Sequence, residues 1–212
     1  MAMGSMESSC LRIRRLRVDC LVPSDHPSPE RVSRHVAEVT AQNLAQALRS
    51  ILERGFVEAD SSLCFIKRLD VSVDVNAGWD PEQLARYFAT RVVQHLYAEI
   101  GDAASSSNVV RFKNPADYLA SFLSDVVHGQ AWTRWYYEPF EGARLLPLSA
   151  AIRTALCNHS IHAMAALHGL DEHSLRQMLT SLTNGDCERI VESLAAEGGA
   201  GDQDAAYEAL ET

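Results

Sequence analysis

The sequence lacks any long apolar run: no stretch approaches the roughly 18–20 apolar residues of a membrane span, and no basic-then-apolar leader opens the chain. Positive charge is also scarce. Nineteen Lys and Arg stand against 28 Asp and Glu, a formal net charge of -9. Nucleic-acid binding runs on phosphate neutralisation by clustered Lys and Arg, and anionic membrane surfaces recruit the same groups. Neither is an expected partner. Cysteine is sparse and odd in number (Cys10, Cys20, Cys64, Cys157 and Cys187), with no C-x-x-C pair. That usage fits reduced thiols in a cytoplasmic protein, most of them acting as small core residues. Aromatics make up only 7% of the chain.

What is present suffices for a sizeable core, since 47% of the 212 residues are apolar. Residues 1–10 read as a cloning scar and a disordered start. Residues 197–212, opening Glu197-Gly198-Gly199-Ala200-Gly201-Asp202, read as a flexible acidic tail.

Between these ends an internal duplication stands out over residues 11–113. Ile13-Arg14-Arg15-Leu16-Arg17-Val18-Asp19-Cys20 and Ile66-Lys67-Arg68-Leu69-Asp70-Val71-Ser72-Val73 share one pattern: Ile, basic, Arg, Leu, polar, Val, polar, small apolar. Apolar and polar residues alternate from Leu16 and from Leu69 onward, as in a half-buried strand. Each segment leads to a helix start of the same design, Ser28-Pro29-Glu30 and Asp80-Pro81-Glu82. Ser or Asp caps free amides, Pro takes the first helical position, and Glu complements the helix dipole. The helices are expected to run to about Arg54 and about Ile100, burying Val32, Val36, Val39, Leu44, Leu48 and Ile51, and Leu84, Phe88, Val92 and Leu96.

The expected fold is α+β. A small two- or three-stranded sheet from the duplicated β-α unit carries both helices on one face and shows Arg17, Asp19, Asp70, Ser72 and Asp74 on the other. Val109 to Phe112 is the candidate third strand. Residues 114–196 are expected to be helical. Asn114-Pro115-Ala116-Asp117 opens a helix that ends near Gly129, and an aromatic connector follows. Further helices are expected over about Leu148–His168, Asp171–Leu182 and Gly185–Ala196, forming C-terminal hairpins.

No catalytic or cofactor-binding residue and no cofactor is expected, although several constellations bear on chemistry. Cys157, His159, His162 and His168, with His173 beyond them, are metal candidates, and His159 and His162 share a helix face. Their spacing matches no common zinc signature. Asp125 and His128 are three apart on one helix and resemble an acid–base dyad, without any nucleophile motif beside them. Arg12, Arg14, Arg15 and Arg17 form either an anion site or a solvated face. Trp132, Trp135, Tyr136, Tyr137 and Phe140 place five rings within nine residues. They read as a core plug, or as a docking patch or ligand groove.

Three of these stretches together resemble the tape-measure-like proteins of contractile injection systems, the phage-tail-like secretion machines. They are the paired segments IRRLRVDC and IKRLDVSVDV, the stretch Asp117 to Tyr137 (DYLASFLSDVVHGQAWTRWYY), and the hairpin Ser174 to Ala195 (SLRQMLTSLTNGDCERIVESLA). The resemblance implies a non-enzymatic structural protein that sets tube and sheath length or assists assembly, with tube, hub or baseplate proteins as partners. Helices of this length cannot themselves form a long ruler, since a helix rises only about 1.5 Å per residue. A globular end domain of a longer measuring protein, or a family member with another assembly task, is the form expected. Self-association and strand addition at an exposed sheet edge, or docking through Trp132–Phe140, are the expected modes. Two alternatives remain open: a metal-binding protein or hydrolase using Cys157, His159, His162 and His168, and a regulatory adaptor or small-ligand-binding module using the aromatic segment.

Overall fold

A computed structural model describes residues 12–23, 26–55, 62–76, 78–101 and 107–196. The chain divides into two units, one taking residues up to 60 together with 68–106, the other taking 61–67 and everything from 107. The fold is α+β, mostly helical with a single two-stranded antiparallel sheet among the described residues.

In the first unit, α1 (Pro29–Gln42), α2 (Leu44–Gly55) and α3 (Pro81–Gly101) pack on one another. Val36 and Val39 of α1 meet Leu84 and Ala85 of α3, with Val32, Trp79 and Phe88 around them. The predicted single first helix is broken at Asn43, where the backbone turns before α2 begins. On α3 the buried face is Leu84, Ala85, Ala89, Val93 and Leu96. The expected stripe is therefore rotated toward the alanines, whose small side chains permit close packing.

The two helix starts differ. Asp80 forms a capping box: its carboxylate accepts from the Gln83 amide at 2.8 Å, while Gln83 Oε1 accepts from the Asp80 amide at 3.4 Å. Ser28 makes no side-chain cap bond.

Apart from Ile66, which ends the strand described below, neither arm of the duplication is a ladder strand, which corrects the sequence expectation of a sheet built from residues 13–20 and 66–75. Both arms are extended, and the second shows the expected alternation as burial. Leu69, Val71, Val73 and Val75 are half-buried, while Arg68, Asp70, Ser72 and Asp74 are exposed. Cys20 from the first arm and Val75 from the second both pack on the α1–α3 core. The duplication thus describes how two extended arms and two helices share one core. Alternation fixes which side of an arm faces the helices; it does not supply a hydrogen-bonding neighbour.

The sheet belongs to the second unit. β1 (Leu63–Ile66) pairs with β2 (Val109–Phe112), Leu63 opposite Phe112 and Ile66 opposite Val109. β1 thus ends at the residue where the second arm was expected to begin, and the Lys67 amide closes the ladder on the Asn108 carbonyl at 2.8 Å. β2 is the predicted third strand.

Helix α4 (Pro115–Val127) is the centre of this unit, packed against α5 (Leu148–Asn158), α6 (Ser160–Gly169) and α7 (Glu172–Ser181). Asn114 caps α4 by accepting from the Asp117 amide at 2.8 Å. Gly129, at φ 72°, ends it in a Schellman turn, with Gln130 N–H on the Asp125 carbonyl and Gly129 N–H on that of Val126. The helix expected over Leu148–His168 is two helices meeting at His159, whose ψ of 38° leaves the helical range. On α6, Ala163 and Ala166 are fully buried, and Gly169 would place a Cβ only 3.6 Å from Ala120 of α4. Small residues therefore set a close approach of these two helices. A last helix covers residues 184–196. Its cap is Thr183, which exchanges bonds reciprocally with Asp186.

Candidate functional site

The aromatic segment folds as short 3-10 turns over Ala131–Thr133 and Trp135–Ala143 and closes over α4. Phe140 stacks on Phe122 with ring centroids 3.8 Å apart and planes 11° from parallel. Tyr137 meets Phe122 edge-on at 5.3 Å. Tyr137 and Phe140 are only 2% and 6% exposed, so neither reaches solvent to dock a partner. Trp132, Trp135 and Tyr136 are half-buried at the rim of the cluster. Phe65 of β1 stacks on Tyr118 at 4.8 Å and tilts against Tyr136 at 6.5 Å, so the sheet is joined to the same cluster. The segment is thus chiefly an aromatic plug. Its polar tips are satisfied: Tyr118 Oη donates to the Tyr136 carbonyl at 2.7 Å and Tyr137 Oη to Asp125 at 3.0 Å. Burial raises both phenols above their ordinary pKa, and for Tyr137 the Asp125 carboxylate adds to the rise.

Asp125 and His128 do not form a dyad. Asp125 serves Tyr137, with Arg134 Nε 3.9 Å away. His128 turns back on its own helix, Nδ1 lying 2.7 Å from the Ser124 carbonyl, and its ring sits 5.8 Å from that of His173.

The metal candidates are dispersed. Cys157 on α5 directs its thiol at the Arg189 carbonyl. His159 lies at the α5–α6 junction, its ring 5.3 Å from Phe140. Burial, with His162 nearby, lowers its pKa, which favours the neutral ring. His162 lies in the first turn of α6, and His168 in that helix's last turn. Among the described residues no group of three or more His, Cys, Asp or Glu is arranged to hold a metal ion.

The Arg-rich first arm is the more informative surface. It runs without helix, turn or bend from Arg15 to Val22, with a bend at Arg14 and Pro23 at its end. No hydrogen bond joins the backbone of residues 15–22 to any other described residue. Leu16 and Val18 remain 51% and 43% exposed although they point along the side of the arm that carries Cys20 into the core. Grooves of about 410 and 310 Å³ run between the arm and α1, one lined by Val18, Cys20, Val36 and Ala37, the other by Leu16, Val18, Ala37 and Thr40. Arg17 and Asp19 are both exposed and pair with each other at 3.1 Å. The sequence reading of this face as solvated agrees with these exposures; how much apolar side chain it leaves uncovered was not legible from alternation.

Among the described residues no helix is long and apolar enough to cross a membrane. No family model matches the chain, and no curated protein or solved structure matches it.

Proposed function

We propose that this protein is a non-enzymatic assembly component that works in the cytoplasm through protein–protein contacts, in the manner of the tape-measure-like proteins of contractile injection systems, and serves tube and sheath length control or assembly. The observation that carries the assembly part is the first arm. Eight consecutive residues, 15–22, whose backbone makes no hydrogen bond to another described residue, and which include the half-exposed Leu16 and Val18, form an edge that another protein chain can complete. The family part rests on the sequence resemblance alone. The longest described helix has 21 residues, about 32 Å of rise, too short to serve as the ruler of such a machine.

The test is direct. Purified chain is offered to the tube, hub and baseplate proteins encoded beside it, and binding is measured by biolayer interferometry. Saturable binding that is lost in a Leu16→Asp, Val18→Asp variant is the expected result. If the neighbouring genes encode no such components, or none of them binds, the reading fails.

A further inference from the structure

We propose that two copies of this chain pair through the first arm, antiparallel over residues 15–21, about a two-fold axis at Val18. The inference rests on the assembly reading above and supplies a partner for the open edge.

The backbone states what kind of partner is needed. An extended segment whose N–H and C=O groups are unused is satisfied by another extended segment. The first arm is a better edge than the second. Leu69, Val71, Val73 and Val75 are all half-buried and none is left largely exposed, whereas Leu16 and Val18 are.

Register then selects the partner. In an antiparallel pair, opposite residues share a face, so only registers that place odd positions against odd positions keep the core side matched to the core side. With Val18 opposite Val18, Arg17 stands opposite Asp19 twice and Leu16 opposite Cys20 twice. Arg15 faces Leu21, and no Arg faces an Arg. The two nearest alternatives of the right parity place Arg17 against Arg17, or Asp19 against Asp19, at the axis. Like charges directly opposite are destabilising, and opposite charges and apolar pairs are favourable. The sequence Arg17-Val18-Asp19 is therefore self-complementary, which is the condition for a closed two-fold interface. The paired run is bounded on both sides, by the Arg14 bend and by Pro23, which has no amide to donate.

The same exposure makes the test clean, because Arg17 and Asp19 are 81% and 70% exposed and their substitution leaves the core alone. Self-association of the full chain is measured by sedimentation equilibrium for the wild type, Arg17→Asp, Asp19→Arg, the double variant, and an equimolar mixture of the two single variants. Circular dichroism checks that each is folded. The wild type is expected to dimerise. Each single variant turns two favourable pairs into two like-charge pairs and is expected to weaken dimerisation about tenfold or more. The double variant is expected to restore it, and the mixture to form the mixed dimer. A wild type monomeric at every concentration, or a mixture that stays monomeric, overturns the proposal. So does rescue of Arg17→Asp only by Asp70→Arg, which would assign the first arm to the second. If the chain stays monomeric yet binds a tube, hub or baseplate protein, the pairing falls and the assembly reading stands. If it pairs as described and binds none, the pairing stands and that reading falls.

Discussion

Replacing Phe122 by Ala distinguishes an aromatic plug from an aromatic docking patch. Phe122 is fully buried at the middle of α4. Its ring stacks on Phe140 at 3.8 Å and meets Tyr137 at 5.3 Å and Trp132 at 5.8 Å, both edge-on. A buried Phe→Ala change costs about 3–5 kcal/mol from lost transfer energy and the cavity left behind. Three ring contacts, each worth about 0.5–1.5 kcal/mol beyond area, place this site toward the upper end, about 4–5 kcal/mol. For a chain of this length the corresponding fall in Tm is roughly 8–20 °C. Scanning calorimetry and urea unfolding followed by near-ultraviolet circular dichroism measure it. Trp135→Ala is the control. That ring is half-buried and meets Tyr136 at 5.5 Å, so its loss is expected to cost no more than about 1.5 kcal/mol. If Phe122→Ala cost less than about 1 kcal/mol, the segment would not be anchored to α4. The rings would then be available to a partner, and the plug reading would be refuted.

The two helix starts that look alike in sequence are expected to behave differently. Asp80→Ala removes a capping box and should lower the stability of the first unit by about 1 kcal/mol, whereas Ser28→Ala should change it by a few tenths at most, both read from urea midpoints. Gly129→Ala meets no atom within 4 Å but forces a side chain to φ 72°, and is expected to cost about 1–2 kcal/mol by the same assay. Stability should also respond to acid in two steps. The folded state holds His159 neutral by lowering its pKa, so the unfolded chain binds the proton first. Stability is then full above about pH 6.5 and declines as pH falls through and below that value, and His159→Gln should flatten this limb. Asp171 is held below the usual carboxylate range by the Ser174 hydroxyl and amide, and Asp186 chiefly by the Thr183 hydroxyl, with Arg153 also nearby. Their contribution is present above about pH 4 and lost below it, and Asp186→Asn should flatten that second limb in a pH-dependent urea titration.

The sequence was most legible where local chemistry and burial agree. Asn114 to Gly129 carries its own cap, its own stop and a stripe of Tyr118, Leu119, Phe122, Leu123, Val126 and Val127, and all six are buried. β1 escaped notice for the opposite reason. Leu63-Cys64-Phe65-Ile66 is a continuous apolar run without alternation, so periodicity cannot separate strand from buried helix there. The breaks at Asn43 and His159 carry no Gly or Pro, so the usual breaker residues do not mark them. On α6 the sequence is apolar all round, and only the structure separates Ala163 and Ala166, which face the core, from Ile161 and Met164, which are 75% and 51% exposed.

The duplicated arms carry the functional consequence of this difference. Alternation is a statement about side chains, whereas a strand is a statement about where backbone bonds go, and those bonds go to residues distant in sequence or in another molecule. Both arms satisfy the first condition; the second meets the other only at its start, through Ile66 and Lys67, and residues 15–22 of the first do not meet it among the described residues. The arms then part company on side-chain grounds. The second keeps Leu69, Val71, Val73 and Val75 half-buried, with Val75 on the core, while the first leaves Leu16 and Val18 half in solvent beside an alternating charge pair. A partner that covered only apolar area would leave the backbone unsatisfied, and one that supplied only charge would leave Leu16 and Val18 wet. An extended chain with Asp opposite Arg17, Arg opposite Asp19 and an apolar residue between them meets both requirements, and a second copy of this arm has that sequence.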